Sequence, residues 1–91
     1  MGFQWDDAKE AGNLRKHGLD FDEAATTFYD PLALVRPDEE HSEREERFVL
    51  LARSLRDRLL VTVFTERDED IRIISSRRAT RRERREYEER I

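Results

Sequence analysis

The apolar residues of the chain recur with two different periods, and the change of period divides the sequence into a helical part and a strand part. Between residues 7 and 29 they recur every three or four positions, which is typical of amphipathic helices. From Arg47 onward they form short, nearly continuous runs separated by polar turns, which is typical of strands covered on both faces. The pattern predicts an α+β domain in which two helices precede a small sheet.

Both N-terminal helices have capping residues at their predicted ends. Asp6 is placed to cap the first helix, which ends at Gly18, and the second helix begins at Asp20 and stops at Asp30-Pro31. The apolar residues of the first helix are predicted to form its buried stripe: Ala8, Ala11 and Leu14. Those of the second helix are spaced at i, i+3, i+4 and i+7: Phe21, Ala24, Ala25 and Phe28. The second helix is the most clearly amphipathic one in the chain.

The predicted strands form a small sheet. Residues 48–52, 59–64 and 71–74 are predicted to make an antiparallel meander, with a further strand at residues 32–35 and a short edge strand at residues 3–5. The three segments of the meander carry apolar side chains on both faces of the sheet, so both faces must be covered. The two N-terminal helices can cover one face, and the other is left to a C-terminal helix or to a partner chain.

Composition narrows the class of protein. With 91 residues the chain can form one modest core, so we expect a single domain over residues 1–91. Charged residues make up 44% of it, but its apolar residues are clustered, which argues against disorder. It has no cysteine, no leader-like N-terminus and no apolar run long enough to span a membrane. We therefore expect a cytoplasmic protein without disulfides, thiolate chemistry or membrane contact.

Charge is segregated along the chain. The formal net charge is −4, yet residues 37–46 carry six carboxylates against one arginine, and residues 77–85 carry six arginines against one glutamate. These arginines begin a predicted C-terminal helix whose only apolar positions are Ala79, Tyr87 and Ile91. A basic N-terminal half opposes the helix dipole, so local stability does not explain the charge order. The helix is either a solvated charged face or an arginine surface for phosphate or an acidic partner.

Two further arginines flank the turn between the last two strands. Strand alternation predicts that Arg72, Ile74 and Ser76 share one face, and that Arg67 lies close to Arg72 across the hairpin. Like charge disfavours this arrangement unless a carboxylate or a bound anion lies between the two arginines. The carboxylates within reach are Glu66 and Glu69.

Six segments distributed along the chain share their spacing with one protein family. They are Phe3-x-Trp5-Asp6-x-x-Lys9, Asn13-x-x-Lys16-His17-Gly18, Phe21-x-Glu23-Ala24, Phe28-x-Asp30-Pro31, His41-Ser42-x-x-Glu45-x-Arg47, and Ile71-Arg72-Ile73-Ile74-Ser75-x-Arg77-x-Ala79-x-x-x-Glu83-Arg84-x-x-Tyr87. Nearly end to end, the chain resembles the BrnT family of toxins from bacterial type II toxin–antitoxin modules. It departs from the family pattern at Ser76, where alanine is expected, and at residues 68–70, where a glycine is common.

The resemblance implies a small ribonuclease with a RelE-like, microbial-ribonuclease-like fold that cleaves RNA and so inhibits translation. It implies a cognate antitoxin of the BrnA type, which binds DNA through a ribbon-helix-helix domain. Operator DNA is then contacted only through the antitoxin. We expect no cofactor and no metal site, so RNA cleavage is expected to be metal-independent.

RNA cleavage needs a 2′-hydroxyl proton removed, the phosphorane charge stabilised and the 5′-oxygen leaving group protonated. We assign charge stabilisation to four arginines: Arg67, Arg72, Arg77 and Arg81. The candidates for proton transfer are His17, Glu66 and Tyr87. Further RNA contacts are assigned to Lys16, Arg78, Arg84 and Tyr87.

Plainer interpretations stand beside several of these assignments. His17 lies in the last turn of a helix, where a cation interacts favourably with the helix dipole. Tyr87 is the only large side chain of the last helix before Ile91, so it is either a packing anchor or a base-stacking platform. His41 lies among carboxylates, but the spacing matches no set of metal ligands, and a solvated loop is the better interpretation.

Two classes of function fit these observations. The first is an endoribonuclease toxin, and the second is a non-catalytic binding module that docks an antitoxin or regulator and acts in transcriptional autoregulation. Both predict a tight protein partner. A helix that only docks a partner need not share a face with Arg67 and Arg72 on the sheet, so the predicted arginine placement favours the enzyme.

Overall fold

The computed structural model describes residues 2–41 and 44–89, and its elements follow the predicted order. The helices are α1 (Asp7–His17), α2 (Phe21–Thr26) and α3 (Arg81–Glu89), with 3-10 turns at Thr27–Tyr29 and Glu39–His41. The strands are β1 (Phe3–Gln4), β2 (Leu34–Pro37), β3 (Arg47–Arg53), β4 (Leu59–Arg67) and β5 (Asp70–Arg78). The α+β class predicted from the sequence is confirmed.

Both N-terminal helices begin where their predicted caps lie. The carboxylate of Asp6 accepts the backbone N–H of Lys9 at 3.0 Å, and that of Asp20 accepts the N–H of Glu23 at 2.8 Å. Gly18 ends α1 in the left-handed conformation, with φ 70°, which a residue with a side chain adopts only with strain. None of the helices that the structure describes has the length and apolarity needed to span a membrane.

Five strands form one mixed sheet in the order β1-β5-β4-β3-β2. The predicted meander is confirmed in β3, β4 and β5, and β2 adds a fourth antiparallel strand at one edge. At the other edge β1 runs parallel to β5 and pairs with it only at Ile71 and Arg72. In the part of the chain that the structure describes, no strand pairs with that edge of β5 beyond Arg72.

A hydrophobic core lies on each face of the sheet. On one face, called the α2 face below, α2 packs on the strands through Phe21, Ala24, Leu50, Ala52, Phe64, Ile71 and Ile73. On the opposite face, called the α3 face, the core consists of Tyr87 from α3 with Leu51, Leu59 and Val61. The sequence left this face to a C-terminal helix or to a partner chain, and in the structure it is α3 that packs there.

The side of α1 that packs on the sheet differs from the prediction. Ala8, Ala11 and Leu14 are exposed, so the predicted buried stripe is wrong. The buried residue is Asn13, whose side-chain amide closes the open edge of β5. Its Oδ1 accepts the backbone N–H of Ser76 at 3.0 Å, and its Nδ2 donates to the Ser76 carbonyl at 2.8 Å. Because α1 lies against a strand edge, hydrogen bonds rather than apolar area decide which side of the helix is buried.

A β-bulge in β5 changes which of its side chains share a face. Val63 pairs with Ser75 and Phe64 pairs with Ile73, so Ile74 is an extra residue on β5. Side chains alternate along a strand, and an extra residue reverses the alternation for everything that follows it.

The bulge overturns one predicted grouping and creates another. Ser76 lies on the α2 face, fully buried, with its hydroxyl 3.0 Å from that of Thr62. The prediction that Arg72, Ile74 and Ser76 share a face is therefore wrong. Arg77, which pairs with a residue of the α3 core, is instead brought to the same face as Arg72.

Candidate nucleic-acid site

A row of polar side chains crosses the α3 face near the β4–β5 turn. The strand register places Gln4, Arg72, Thr65 and Arg47 side by side on β1, β5, β4 and β3. Thr65 lies four residues along β4 from Val61, which packs in the α3 core, so the row is on that face. We call these four residues the basic row. The α3 core lies toward the other end of the strands, and within the row Thr65 is buried while Arg47 and Arg72 are partly exposed.

Contacts within and beside the basic row are polar. Arg72 Nη1 lies 3.5 Å from Gln4 Oε1, and the Thr65 hydroxyl donates to the Glu46 carbonyl at 2.7 Å. Arg67, the next residue of β4 on this face, places Nη2 3.4 Å from the carboxylate of Glu45. Arg67 is therefore paired with a carboxylate from the segment that precedes β3. The sequence predicted Glu66 or Glu69 as the carboxylate between the arginines, but neither of them pairs with Arg67.

Glu66 lies on the opposite side of the sheet from the basic row. It pairs in register with Ile71, whose side chain belongs to the α2 core, and it is exposed. Alternation along β4 therefore directs the Glu66 side chain away from Arg67 and Arg72. The structure does not bring this candidate base to the arginines.

The end of α1 that carries His17 and Lys16 lies away from the basic row. The helix starts just after β1, which pairs with Arg72, and it reaches Ser76 at Asn13, so it continues away from the row. His17 is half-buried one turn beyond Asn13, and Lys16 is exposed. Neither residue is placed beside the arginines of the sheet.

Arg77 joins β5 to α3. Its Nη1 and Nη2 donate to the two oxygens of Glu83 at 2.8 and 2.9 Å. Glu83 also accepts the backbone N–H of Thr80, and the Thr80 hydroxyl accepts the N–H of Glu83, which is a capping box at the start of α3. The hydrogen bonds from Arg77 outweigh partial burial and lower the pKa of Glu83 to about 2. Arg77 is thus engaged with a carboxylate of its own chain.

Tyr87 is a packing anchor, and the interpretation as a base-stacking platform is wrong. It retains 2% of its accessible surface, and its hydroxyl donates to Asp30 at 2.6 Å. Burial, followed by this hydrogen bond, raises the pKa of Tyr87. A buried ring cannot stack on an RNA base, and a phenol with a raised pKa is a poor proton donor.

A second group of arginines lies at the opposite end of the strands. A groove of about 370 Å³ is lined by Asp57, Arg58, Leu59, Arg78, Ala79 and Arg84. Arg78 pairs with Leu60, five residues along β4 from Thr65, which corresponds to about 17 Å. Arg81 is exposed in the first turn of α3. The predicted arginine cluster is therefore not one group: Arg78 and Arg84 line this groove and Arg72 lies in the basic row with Arg67 beside it. Arg77 and Arg81 line neither surface.

Arg58, one of the arginines of the groove, was not among the site residues predicted from the sequence. Arg58 Nε donates to Glu23 Oε2 at 2.8 Å, and Nη2 is also bonded to the Glu23 carboxylate, which is almost fully buried. The hydrogen bond from Arg58 lowers the pKa of Glu23. Glu23 belongs to a quoted motif and lies on the packed side of an amphipathic helix. A buried carboxylate requires a cation beside it. The position of Glu23 therefore indicated that an arginine or lysine must pair with it, although not that the partner is Arg58.

Arg47 was not among the site residues predicted from the sequence, and His41 was weighed there only as a metal ligand and interpreted as part of a solvated loop. Both line a cavity of about 310 Å³ beside the basic row. They occur together in the quoted motif between residues 41 and 47, and that co-occurrence was the signal available in the sequence. In residues 2–41 and 44–89, no three potential ligands are grouped to hold a metal ion.

The fold and its two arginine groups define a small α+β protein whose basic surfaces suit nucleic-acid phosphates. The family model described as "Ribonuclease toxin, BrnT, of type II toxin-antitoxin system" matches residues 5–83. The chain therefore belongs to the BrnT family of ribonuclease toxins. The structure is similar to the 1.1 Å crystal structure of the Brucella abortus ribonuclease toxin BrnT. The TM-score is 0.69 at 25% identity, over 89% of this chain and 99% of that one. A comparison with curated proteins found no match.

Proposed function

We propose that this protein is an endoribonuclease toxin that cleaves RNA in the cytoplasm and thereby inhibits translation. Membership of the BrnT family supports the reaction class. The observation that carries the proposed location is the basic row, in which the partly exposed Arg72 and Arg47 flank the buried Thr65 on the α3 face. A sheet provides a rigid support, so these guanidinium groups are held in place before the substrate arrives.

The chemistry we assign to this surface is stabilisation of the phosphorane. Arg72 and Arg67, with Arg47 beside them, bind the non-bridging oxygens of the reacting phosphate, because guanidinium groups match that geometry. Charge stabilisation of this kind is usually the largest contribution to catalysis. The reaction proposed here uses no metal, because the arginines supply the positive charge.

The groove at the other end of the strands is assigned to binding. Arg78 and Arg84, which line the groove, contact phosphates of the same RNA away from the point of cleavage, and the exposed Arg81 is assigned to the same binding role. Arg77 has a different role from the one predicted, because its guanidinium is committed to Glu83 and holds α3 in place.

The partner we propose is a BrnA-like antitoxin with a ribbon-helix-helix DNA-binding domain. In the complex of the two proteins, only the antitoxin contacts operator DNA. Membership of a type II toxin–antitoxin family supports a protein antitoxin. An antitoxin that covers the basic row would block RNA from the arginines directly.

The first test compares Arg72→Gln with the wild-type chain. Each is induced alone in a bacterial host, and growth and total RNA are followed. We expect wild type to arrest growth and degrade RNA. In purified assays, Arg72→Gln should cleave RNA about 10²–10³-fold more slowly, as when one charge-stabilising donor is removed.

Arg82→Gln is the matched control, because Arg82 is an exposed arginine on α3 that lines neither surface. It should behave as wild type. Arg72→Gln should still bind the antitoxin, which separates loss of chemistry from loss of fold. If wild type neither arrests growth nor cleaves RNA, the protein is the non-catalytic binding module instead.

A further inference from the structure

The turn that precedes β3 carries a histidine held by a carboxylate. Nδ1 of His41 lies 3.1 and 3.2 Å from the two carboxylate oxygens of Asp38. A proton on Nδ1 shared with this carboxylate fixes the orientation of the ring and leaves Nε2 as the basic nitrogen. The His41 side chain retains 62% of its accessible surface, so Nε2 is open to a substrate, whereas Asp38 is largely covered.

This pair is attached to the basic row. The backbone N–H of Asp38 donates to the carbonyl of Arg47 at 2.8 Å, so the position of the turn is set by the first residue of β3. His41 and Arg47 then line the same cavity of about 310 Å³. The histidine is therefore next to the arginine that we assign to the phosphate.

The other charged groups around the cavity are balanced. Arg44 lines it together with Glu40 and Glu45. Glu45 lies 3.4 Å from Arg67, which offsets its charge on the side of the sheet. The carboxylates that line the cavity are therefore offset by arginines and do not prevent an anion from binding there.

We infer that His41 is the general base of the RNA cleavage and that Asp38 is its positioning residue. The inference rests on the proposed function and supplies what that function lacked, since neither Glu66 nor His17 faces the basic row. A histidine within reach of a phosphate held by arginines is suited to take a proton from the adjacent ribose.

In the proposed step, Nε2 of His41 takes the proton of the ribose 2′-hydroxyl, and the 2′-oxygen attacks the neighbouring phosphorus. Phosphorus forms a bond to the 2′-oxygen and loses its bond to the 5′-oxygen, which leaves with a proton from a water molecule. The products are a 2′,3′-cyclic phosphate and a 5′-hydroxyl. His41 then gives its proton to the hydroxide that remains, and the enzyme is restored.

The test uses His41→Ala, with His17→Ala as the matched control. His41→Ala should lower kcat for an RNA oligonucleotide about 10²–10⁴-fold, which is the usual contribution of a general base. Its KM should change little. Added imidazole should partly restore cleavage by His41→Ala, because free imidazole can occupy the space left by the ring. His17→Ala should retain wild-type kcat and show no response to imidazole.

Asp38→Asn tests the positioning role. It should lower kcat in the wild-type background and have no further effect in His41→Ala, because Asp38 acts through the ring. A merely structural role for Asp38 would instead give additive losses and a lower free energy of unfolding.

The outcomes separate this inference from the proposed function. If wild type cleaves RNA and His41→Ala keeps full kcat, or loses it without response to imidazole while folded, His41 is not the base and the ribonuclease proposal stands. If wild type does not cleave RNA at all, both proposals are overturned. A product without a 2′,3′-cyclic phosphate would also contradict the assigned step.

Discussion

At the scale of single residues, Asp30 connects parts of the chain that are far apart in sequence. Its Oδ2 accepts the Tyr87 hydroxyl at 2.6 Å and the backbone N–H of Arg53 at 2.8 Å, while Oδ1 accepts the N–H of Leu32. Burial opposes ionisation of Asp30, but these hydrogen bonds outweigh it and lower its pKa. Tyr87 is therefore held both by its ring in the α3 core and by its hydroxyl on a carboxylate.

Tyr87→Phe keeps the ring and removes the hydroxyl. We expect the free energy of unfolding to fall by about 1.5–3 kcal/mol, the usual value for a hydrogen bond to a charged group. Chemical denaturation measures the change, with Tyr29→Phe as the control, since Tyr29 retains 65% of its accessible surface. An unchanged free energy of unfolding in Tyr87→Phe would contradict the anchor role.

At the scale of elements, each helix is attached to the sheet by a different kind of interaction. α2 packs by apolar area, as its spacing predicted. α3 has a thin apolar stripe and depends on Tyr87, the capping box and the Arg77–Glu83 pair. α1 is attached by Asn13, which supplies the hydrogen bonds that a neighbouring strand would otherwise give to β5.

Asn13→Ala should therefore destabilise the protein although it removes no apolar surface. It leaves the N–H and carbonyl of Ser76 without their partner in a buried place, and we expect a loss of about 2 kcal/mol or more. The Ser76 amide should also exchange faster with solvent. Arg15→Ala, an exposed change on the same helix, should alter the free energy of unfolding by less than about 0.5 kcal/mol. Equal stability of the two variants would refute the edge-closing role.

At the scale of the whole molecule, three carboxylates join the helices and loops to the sheet. Glu23 binds Arg58 and Ser54 at the β3–β4 turn, Asp30 binds Tyr87, and Glu83 binds Arg77. The hydrogen bonds around each outweigh burial and lower its pKa. Protonation of these carboxylates at low pH therefore weakens the contacts that hold the helices on both faces of the sheet.

The sign of the pH dependence follows from these shifts. A carboxyl with a lowered folded-state pKa stabilises the fold above its unfolded pKa, and that stabilisation is lost as the pH falls toward the folded value. For Glu83 the interval runs from 4.5 down to about 2. We expect the free energy of unfolding, measured by denaturant titration, to fall steadily from pH 5 to pH 2.

Glu83→Gln serves as the control for this prediction. It should be less stable than wild type at pH 7, because Arg77 loses its ionised partner. Between pH 4.5 and 2 its stability should fall less steeply, because one titrating group has been removed. An identical slope in the two proteins would show that Glu83 does not contribute to acid unfolding.

The parts of the fold that were predicted correctly are those decided by neighbouring residues. The caps at Asp6, Asp20 and Gly18, the spacing of apolar residues in α2 and the three apolar runs of the meander are all local patterns. They report which side chains can be buried and where a backbone can turn, so one sequence is sufficient to predict them.

The candidate site depends on non-local features. Arg72 and Arg67 were predicted on one face because alternation within a strand is local. The bulge at Ile74, which decides the face of Arg77, arises only when β5 pairs with β4. The position of His41 beside Arg47 depends on a hydrogen bond between the ends of a loop, which the spacing of charged residues does not reveal.

Taken alone, the sequence determined the α+β class, the starts of the two N-terminal helices, the end of the first, the meander and the family, because caps, periods and motifs depend on residues close together in the chain. The tertiary structure decided which face each arginine occupies, that Asn13 closes an edge and that Tyr87 is buried. The physical reason is that strand register, bulges and open edges are properties of pairs of segments. Each segment fixes its own conformation, and only their association fixes which side chains meet.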